Sequence, residues 1–334
     1  MSQNKKKILK FLFFFLLIFF FMYLAFKDIS FSELLEELKK TNYFWAIIGS
    51  LIGVLIGGAI RAYRWRYFLN PIKKDIGFQN LFSSMMIGYM MNSIVPKSGE
   101  ISRPVIIAKM EDISKAASFG TIIVERVFDM LSLLISFGFC LFFFKAEISL
   151  AFEGYNLEQY ALYASIIVLI IVLVMILMIF NLEKSERIIN KLTVKFLPER
   201  FQEKIHKIFI SLINGFLFIR NPRSYFMIGV LTVLLWTSYV VSAYVSFWAV
   251  GINLTIFDAN FLLTIITFTL VLPLPGNSAG AYHFFCTAVL VSYGINRETA
   301  LTYATITHLL NFIFLVGIGF YYSIKENIKL KDKL

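Results

Sequence analysis

Cysteine is nearly missing from this chain of 334 residues. The two present, Cys140 and Cys286, both sit in apolar runs. They support neither a disulfide framework nor a metal quartet, and read as packing residues. Charge is also scarce, at 16% of residues, where soluble domains carry about 25%. Proline occurs seven times and histidine three times. No polar stretch is longer than about forty residues, so no soluble catalytic domain, tRNA site or cofactor fold has room. What is abundant is apolar: 58% of the chain is hydrophobic and it holds 37 Phe. Such a composition excludes a soluble enzyme and a disordered regulator, and describes surfaces facing lipid.

The charges that remain are unbalanced, at a net +11. Basic residues cluster between apolar segments, as they do in the cytoplasmic loops of membrane proteins, so no nucleic-acid partner is implied. Lys5, Lys6, Lys7 and Lys10 precede an apolar run from Ile8 to Phe26. That run is too long for a signal-peptide core and lacks a small-residue cleavage site, so it reads as a first spanning helix. Further apolar segments lie at 43–60, 81–95, 117–144, 161–180, 226–250, 257–273, 279–293 and 300–323. Three of them, 81–95, 257–273 and 279–293, are short for a span and end beside Pro or Gly, the pattern of a transporter's interrupted helices.

Loop charge then orients the chain. Segments 27–42 and 145–160 carry a negative excess and read as outside. Segments 61–80, 181–224 and the tail from Lys325 carry a positive excess and read as inside. With these sides fixed, 81–116 must enter and leave on the cytoplasmic face, and 257–293 on the outer face. The expectation is an all-α polytopic membrane protein with about six spanning helices and two re-entrant hairpins in an inverted-topology repeat. It forms a single domain over 1–334, with a first half at 1–160 and a second at 161–334. The polar stretch 183–224 has apolar residues at helical spacing and reads as an amphipathic cytoplasmic segment. Both termini fall in the cytoplasm.

Three constellations could carry chemistry. The first hairpin turns at Asn92-Ser93-Ile94-Val95-Pro96-Lys97-Ser98-Gly99-Glu100-Ile101-Ser102-Arg103, with Glu100 and Arg103 one helical turn apart. Glu125, Arg126 and Asp129 lie roughly 12–18 Å into the next span, at 1.5 Å per residue. Ionisable groups at that depth are functional candidates, and an internal ion network is the structural alternative. The second hairpin turns at Leu272-Pro273-Leu274-Pro275-Gly276-Asn277-Ser278-Ala279-Gly280-Ala281-Tyr282-His283. There a half-helix begins with free N-terminal amides that attract anions. His283 reads as a structural or titrating group, His308 with Asn311 as a polar interhelical contact, and His206 as a surface residue.

Taken together, Arg61-x-x-Arg64-Trp65, Asn92-x-x-x-Pro96-x-x-Gly99-Glu100-x-x-Arg103, Glu125-Arg126-x-x-Asp129 and Pro273-x-Pro275-Gly276-Asn277-Ser278 resemble the lysylphosphatidylglycerol synthase transmembrane-region family, also called the flippase-like domain family. The likeness spans nearly the whole chain. It implies movement of a phospholipid or aminoacylated phosphatidylglycerol across the cytoplasmic membrane. Synthases of the family add a C-terminal domain that transfers lysine from charged tRNA, for which no segment is found here. Tyr282, with His283 adjacent, stands where the family usually has Glu. Two other readings are a lysyl-tRNA-dependent phosphatidylglycerol lysyltransferase and a scaffold for a separate lipid-modifying enzyme. The expected partner is an anionic or aminoacylated phospholipid, with further copies of the same chain and such an enzyme as candidates besides. No cofactor and no metal is expected. The candidate lipid-binding residues are Arg61, Arg64, Asn92, Glu100, Arg103, Glu125, Arg126, Asp129, Asn277, Ser278, Tyr282 and His283, with Arg103 and Arg126 on phosphate.

Overall fold

The computed structural model describes residues 19–27, 29–143, 222–271 and 278–328, with isolated positions besides. The first apolar run is described only from Phe19, apart from Leu16. The expected span at 161–180, most of the segment 183–224 and the turn from Leu272 to Asn277 lie outside the described residues. Every regular element described is helical. They are α1 (Phe31–Lys40), α2 (Tyr43–Leu69), α3 (Phe78–Ile94), α4 (Gly99–Glu111), α5 (Lys115–Phe143), α6 (Pro222–Phe247), α7 (Ile256–Val271), α8 (Ala279–Ser292) and α9 (Arg297–Lys325). Stretches built on α2, α5, α6 and α9 are long and apolar enough to cross a membrane, and α7 and α8 are shorter apolar helices. The protein is a polytopic α-helical membrane protein.

Two boundaries differ from the sequence reading. The acidic segment 27–42 is not a plain loop, because α1 occupies most of it, with Glu33 in its first turn and Lys39 and Lys40 in its last, matching the helix dipole. The second span does not stop at Ile60. Asn42 caps α2 by accepting from the Phe44 amide at 3.2 Å, and the helix runs on through a π-helical turn at Ile52–Ile56 to Leu69. It ends where Asn70-Pro71 breaks it. Arg61 and Arg64 are therefore buried helical residues rather than loop charges.

Contacts between α2 and α6 fix their relative direction. Gly49 lies against Ser246, Gly53 against Ser242 and Gly57 against Ser238 and Tyr239. Farther along, Arg64 donates to Thr232 Oγ1 at 3.0 Å. Residue numbers rise on one helix as they fall on the other, so α2 and α6 are antiparallel. Small residues let the backbones approach, and Ser242 Oγ donates to the Gly49 carbonyl at 2.7 Å.

Each half then folds back on itself. The open end of the α3–α4 hairpin sits beside the end of α2: Lys73 Nζ reaches Glu111 at 2.9 Å and Asn80 donates to Glu111 at 2.6 Å. Near the tip, Gly88 and Gly99 bring the two limbs into backbone contact. α5 returns antiparallel to α2, with the Trp65 indole on Thr121 Oγ1 at 2.9 Å. The second half repeats this order. Packing is also exchanged between halves: α5 lies along α7 through Ser136 and Thr264 (2.6 Å), and α9 lies along α3 through Gly319 and Met86. Span, hairpin and span thus occur twice with opposite direction, which is the inverted repeat expected from charge and length.

Polarity is distributed for lipid. Phe142, Ile135 and Val233 face outward and are exposed, while Arg64, Glu125, Thr264 and Thr302 are fully buried. Polar groups inside and apolar groups outside is the arrangement a bilayer requires.

Candidate functional site

The first repeat gathers its charge at one level. α2 delivers Arg61 and Arg64 from one face, three residues apart, because they share successive helical turns. α4 brings Arg103 from the hairpin's return limb. α5 supplies Glu125, Arg126 and Asp129. Glu125 has no exposed surface. It accepts from Arg61 Nε at 2.6 Å and is paired with Arg103, while Arg64 stands 3.6 Å away. Asp129 is paired with Arg61, accepts from Arg64 at 2.7 Å, and meets Arg126 at 3.4 Å.

Three buried guanidiniums thus face two carboxylates, an excess of one positive charge. Buried charge is tolerated only when paired and hydrogen-bonded. Trp65 supports the cluster by lying over the Arg103 guanidinium, 4.3 Å from ring centroid to Cζ, and is itself pinned by Thr121. Arg103 also contacts Met85 Sδ at 3.1 Å. Donors are left over: Arg103 Nε, like Arg64 Nε and Arg126 Nε, is buried without a hydrogen-bond acceptor among the described residues.

A cleft opens beside the cluster, between α3, α4 and α5. Gly88, Tyr89, Asn92, Gly99, Glu100, Arg103, Ile122 and Arg126 line it, and it encloses about 220 Å³ of open space, mouth included. That space includes open solvent; the enclosed part is only about 10 Å³, room for roughly one water, so a headgroup enters only when the walls part. Arg126 stands at its edge, more than a third exposed, 3.3 Å from Glu100. Glu100 is in turn 3.8 Å from Lys97. Arg126 therefore bridges Asp129 and Glu100, and Glu125 is held by other arginines. Asn92 accepts from the Gly99 amide at 2.7 Å. Its carbonyl thus caps α4, and Ser98 Oγ closes the tip on the Met91 and Val95 carbonyls, each at 2.7 Å.

Of the twelve sequence-chosen residues, eight meet here: Arg61, Arg64, Asn92, Glu100, Arg103, Glu125, Arg126 and Asp129. Asn277 lies outside the described residues. Ser278, Tyr282 and His283 are in the second repeat, at the start of α8. Ser278 takes a left-handed φ of 58°. The Tyr282 hydroxyl is 2.9 Å from Thr307 Oγ1, and His283 Nδ1 meets the Ala279 carbonyl. Sequence reasoning passed over Trp65 and Thr121 as parts of the site. The signal for them was helical spacing, since Trp65 follows Arg64 and Thr121 precedes Glu125 by one turn. Among the described residues no group of three or more His, Cys, Asp or Glu could hold a metal.

Comparison with known proteins gives the same frame. A UPF0104 membrane protein of Methanocaldococcus jannaschii is 24% identical over 204 residues, covering 59% of each chain. A second UPF0104 membrane protein, from Methanothermobacter thermautotrophicus, is 20% identical over 322 residues, covering 90% of this chain and 92% of its own. No solved structure matches. The model of the lysylphosphatidylglycerol synthase TM region matches residues 7–319, and the chain belongs to that family.

Proposed function

We propose that the protein binds the phosphate of an anionic or aminoacylated phospholipid in the α3–α4–α5 cleft and moves the lipid between the leaflets of the cytoplasmic membrane. One observation carries this reading: the cleft is walled by Arg103 and Arg126 beside a buried cluster with an unneutralised positive charge. Guanidinium offers directed donors to phosphate oxygens. The buried Arg103 Nε has no acceptor among the described residues, and a phosphate oxygen would complete it. Glu100, at the mouth with Arg126, is placed to exchange its ion pair for the incoming headgroup, and to receive an ammonium where the lipid is aminoacylated.

Loop charge places the open end of this hairpin, with Lys73 and Lys74, at the cytoplasmic face. The inverted second repeat offers the matching hairpin from the opposite face, so a rocking motion of one repeat against the other exposes the polar interior to each side alternately. The acyl chains need no enclosed tunnel, because the outer faces of the helices are already apolar.

Arg126→Gln tests the reading. Arg126 is partly exposed and shares Asp129 with two other arginines, so its removal leaves the fold intact. The expected result in reconstituted vesicles is wild-type thermal stability with loss of phosphatidylglycerol translocation. Arg126→Lys keeps the charge without the fork and should retain part of the activity. Normal translocation by a stable Arg126→Gln protein refutes the phosphate role.

A further inference from the structure

The two halves repeat in register as well as in packing. α5 and α9 have the same length, 29 residues each. Aligning their first residues sets Glu125-Arg126-x-x-Asp129 on Thr307-His308-x-x-Asn311. Aligning the starts of α4 and α8 sets Arg103 on His283. The same two helix pairs meet at these positions, though not through the same residue pairs. Arg103 on α4 reaches Glu125 on α5; His283 on α8 faces His308 on α9, with ring centroids 5.3 Å apart, and Tyr282 meets Thr307. On these helices the ionised groups of the first repeat are replaced by neutral or titratable ones.

We propose that the His283–His308 pair forms a proton-gated site for a phosphate anion in the second repeat, cationic when one proton is bound and neutral otherwise. The inference extends the lipid-phosphate reading of the first repeat and rests on it. A carbonyl can only accept, so His283 Nδ1 carries the hydrogen it shares with Ala279, which leaves Nε2 as the acceptor for an incoming proton. Phe26 and Tyr282 wall the pair, at 6.2 Å from His283 and 5.0 Å from His308. Two like charges so close in apolar surroundings repel, so the pair takes one proton rather than two.

α9 adds Tyr303, Thr307 and Asn311, and α8 adds Tyr282 and Cys286. Among the described charged groups on the elements packed around the rings, four are held by partners of their own. Glu37 of α1 holds Thr299 and Lys40. Asp258 of α7 holds Thr255, and Arg297 donates to the Leu24 carbonyl. Protonation therefore turns a neutral pair of rings into the counterpart of the Arg103–Arg126 wall, and deprotonation releases the anion. A phosphate that passes through both sites moves with a proton.

The chain has three histidines, so a spectrum of the protein labelled with ¹⁵N-histidine resolves the pair once His206→Gln, His283→Gln and His308→Gln assign it. The titration is run in an uncharged detergent, alone, with inorganic phosphate, and with monomeric dihexanoylphosphatidylglycerol. One of the pair should take up a proton between about pH 5 and 8. Anion should raise its midpoint by about half a pH unit, roughly a threefold gain in proton affinity. The shift should persist in Arg126→Gln and vanish in His308→Gln. A shift with the lipid alone assigns the site to a headgroup; a shift with both anions assigns it to phosphate in general. Absence of proton uptake, or a midpoint indifferent to both anions, overturns the proposal. Loss of translocation in Arg126→Gln alongside an unmoved midpoint leaves the first-repeat reading standing while this one falls.

Discussion

Glu125→Gln removes one charge from the dry centre of the first repeat while keeping the side chain's shape. In the native protein Glu125 receives Arg61 at 2.6 Å, pairs with Arg103 and has Arg64 within 3.6 Å. After the substitution Asp129 alone faces three buried guanidiniums. Breaking a buried pair by neutralising one partner costs about 3–5 kcal/mol, because the other charge stays buried and uncompensated. At roughly 2–4 °C per kcal/mol, the apparent Tm should fall by about 6–20 °C. Arg126→Gln is the internal control, since a partly exposed ion pair contributes only about 0–1 kcal/mol. The two variants, purified together and followed by thermal unfolding in the same detergent, should therefore separate clearly. A Glu125→Gln protein within about 2 °C of wild type, on the same scale, would show that water already screens the cluster and that the ledger of buried charge is wrong.

Two further outcomes follow from the packing. Gly57→Val places a Cβ 2.6 Å from the Tyr239 ring, so the α2–α6 contact must open, at a cost of about 1–3 kcal/mol, read as a lower Tm in detergent. In a protein whose Cys140 and Cys286 have been replaced, single cysteines at Lys74 and Asn253 should react with a membrane-impermeant maleimide from opposite faces, Lys74 from the cytoplasm. Labelling of both from one face refutes the topology.

Much of this architecture was legible before the structure. The alternation of loop charge, together with segments too short to span, was enough to require a hairpin in each half. It was enough because charge bias reports the ends of helices, and both kinds of end are rich in charge here. The same logic misread Arg61 and Arg64. A count of positive charge cannot tell a cation in a loop from one buried opposite a carboxylate sixty residues away. The cue was local: no breaker separates Ile60 from Leu69, and Asn70-Pro71 supplies one. Segment 27–42 was misread for a related reason, since Leu34 and Leu38 at i,i+4 lie among acidic residues that dominate any charge count. The partners of Arg126 were legible only in part, since Asp129 at i,i+3 is indeed one of them and Glu100 is the other. Spacing on one helix suggested Glu125 and Asp129, whereas the hairpin tip, which sequence could not place, supplies Glu100.

The seam between α2 and α6 has a mechanical meaning. Along it glycines meet serines and carbonyls, with few long side chains to interlock, so displacement lifts no ridge out of a groove. The π-helical turn at Ile52–Ile56 stores one residue of slack in the same stretch. A joint of this kind behaves as a lubricated rail carrying its own expansion gap. The charged cluster lies just beyond its end, clamped at Arg64 to Thr232, and so acts as the stop against which the rail runs.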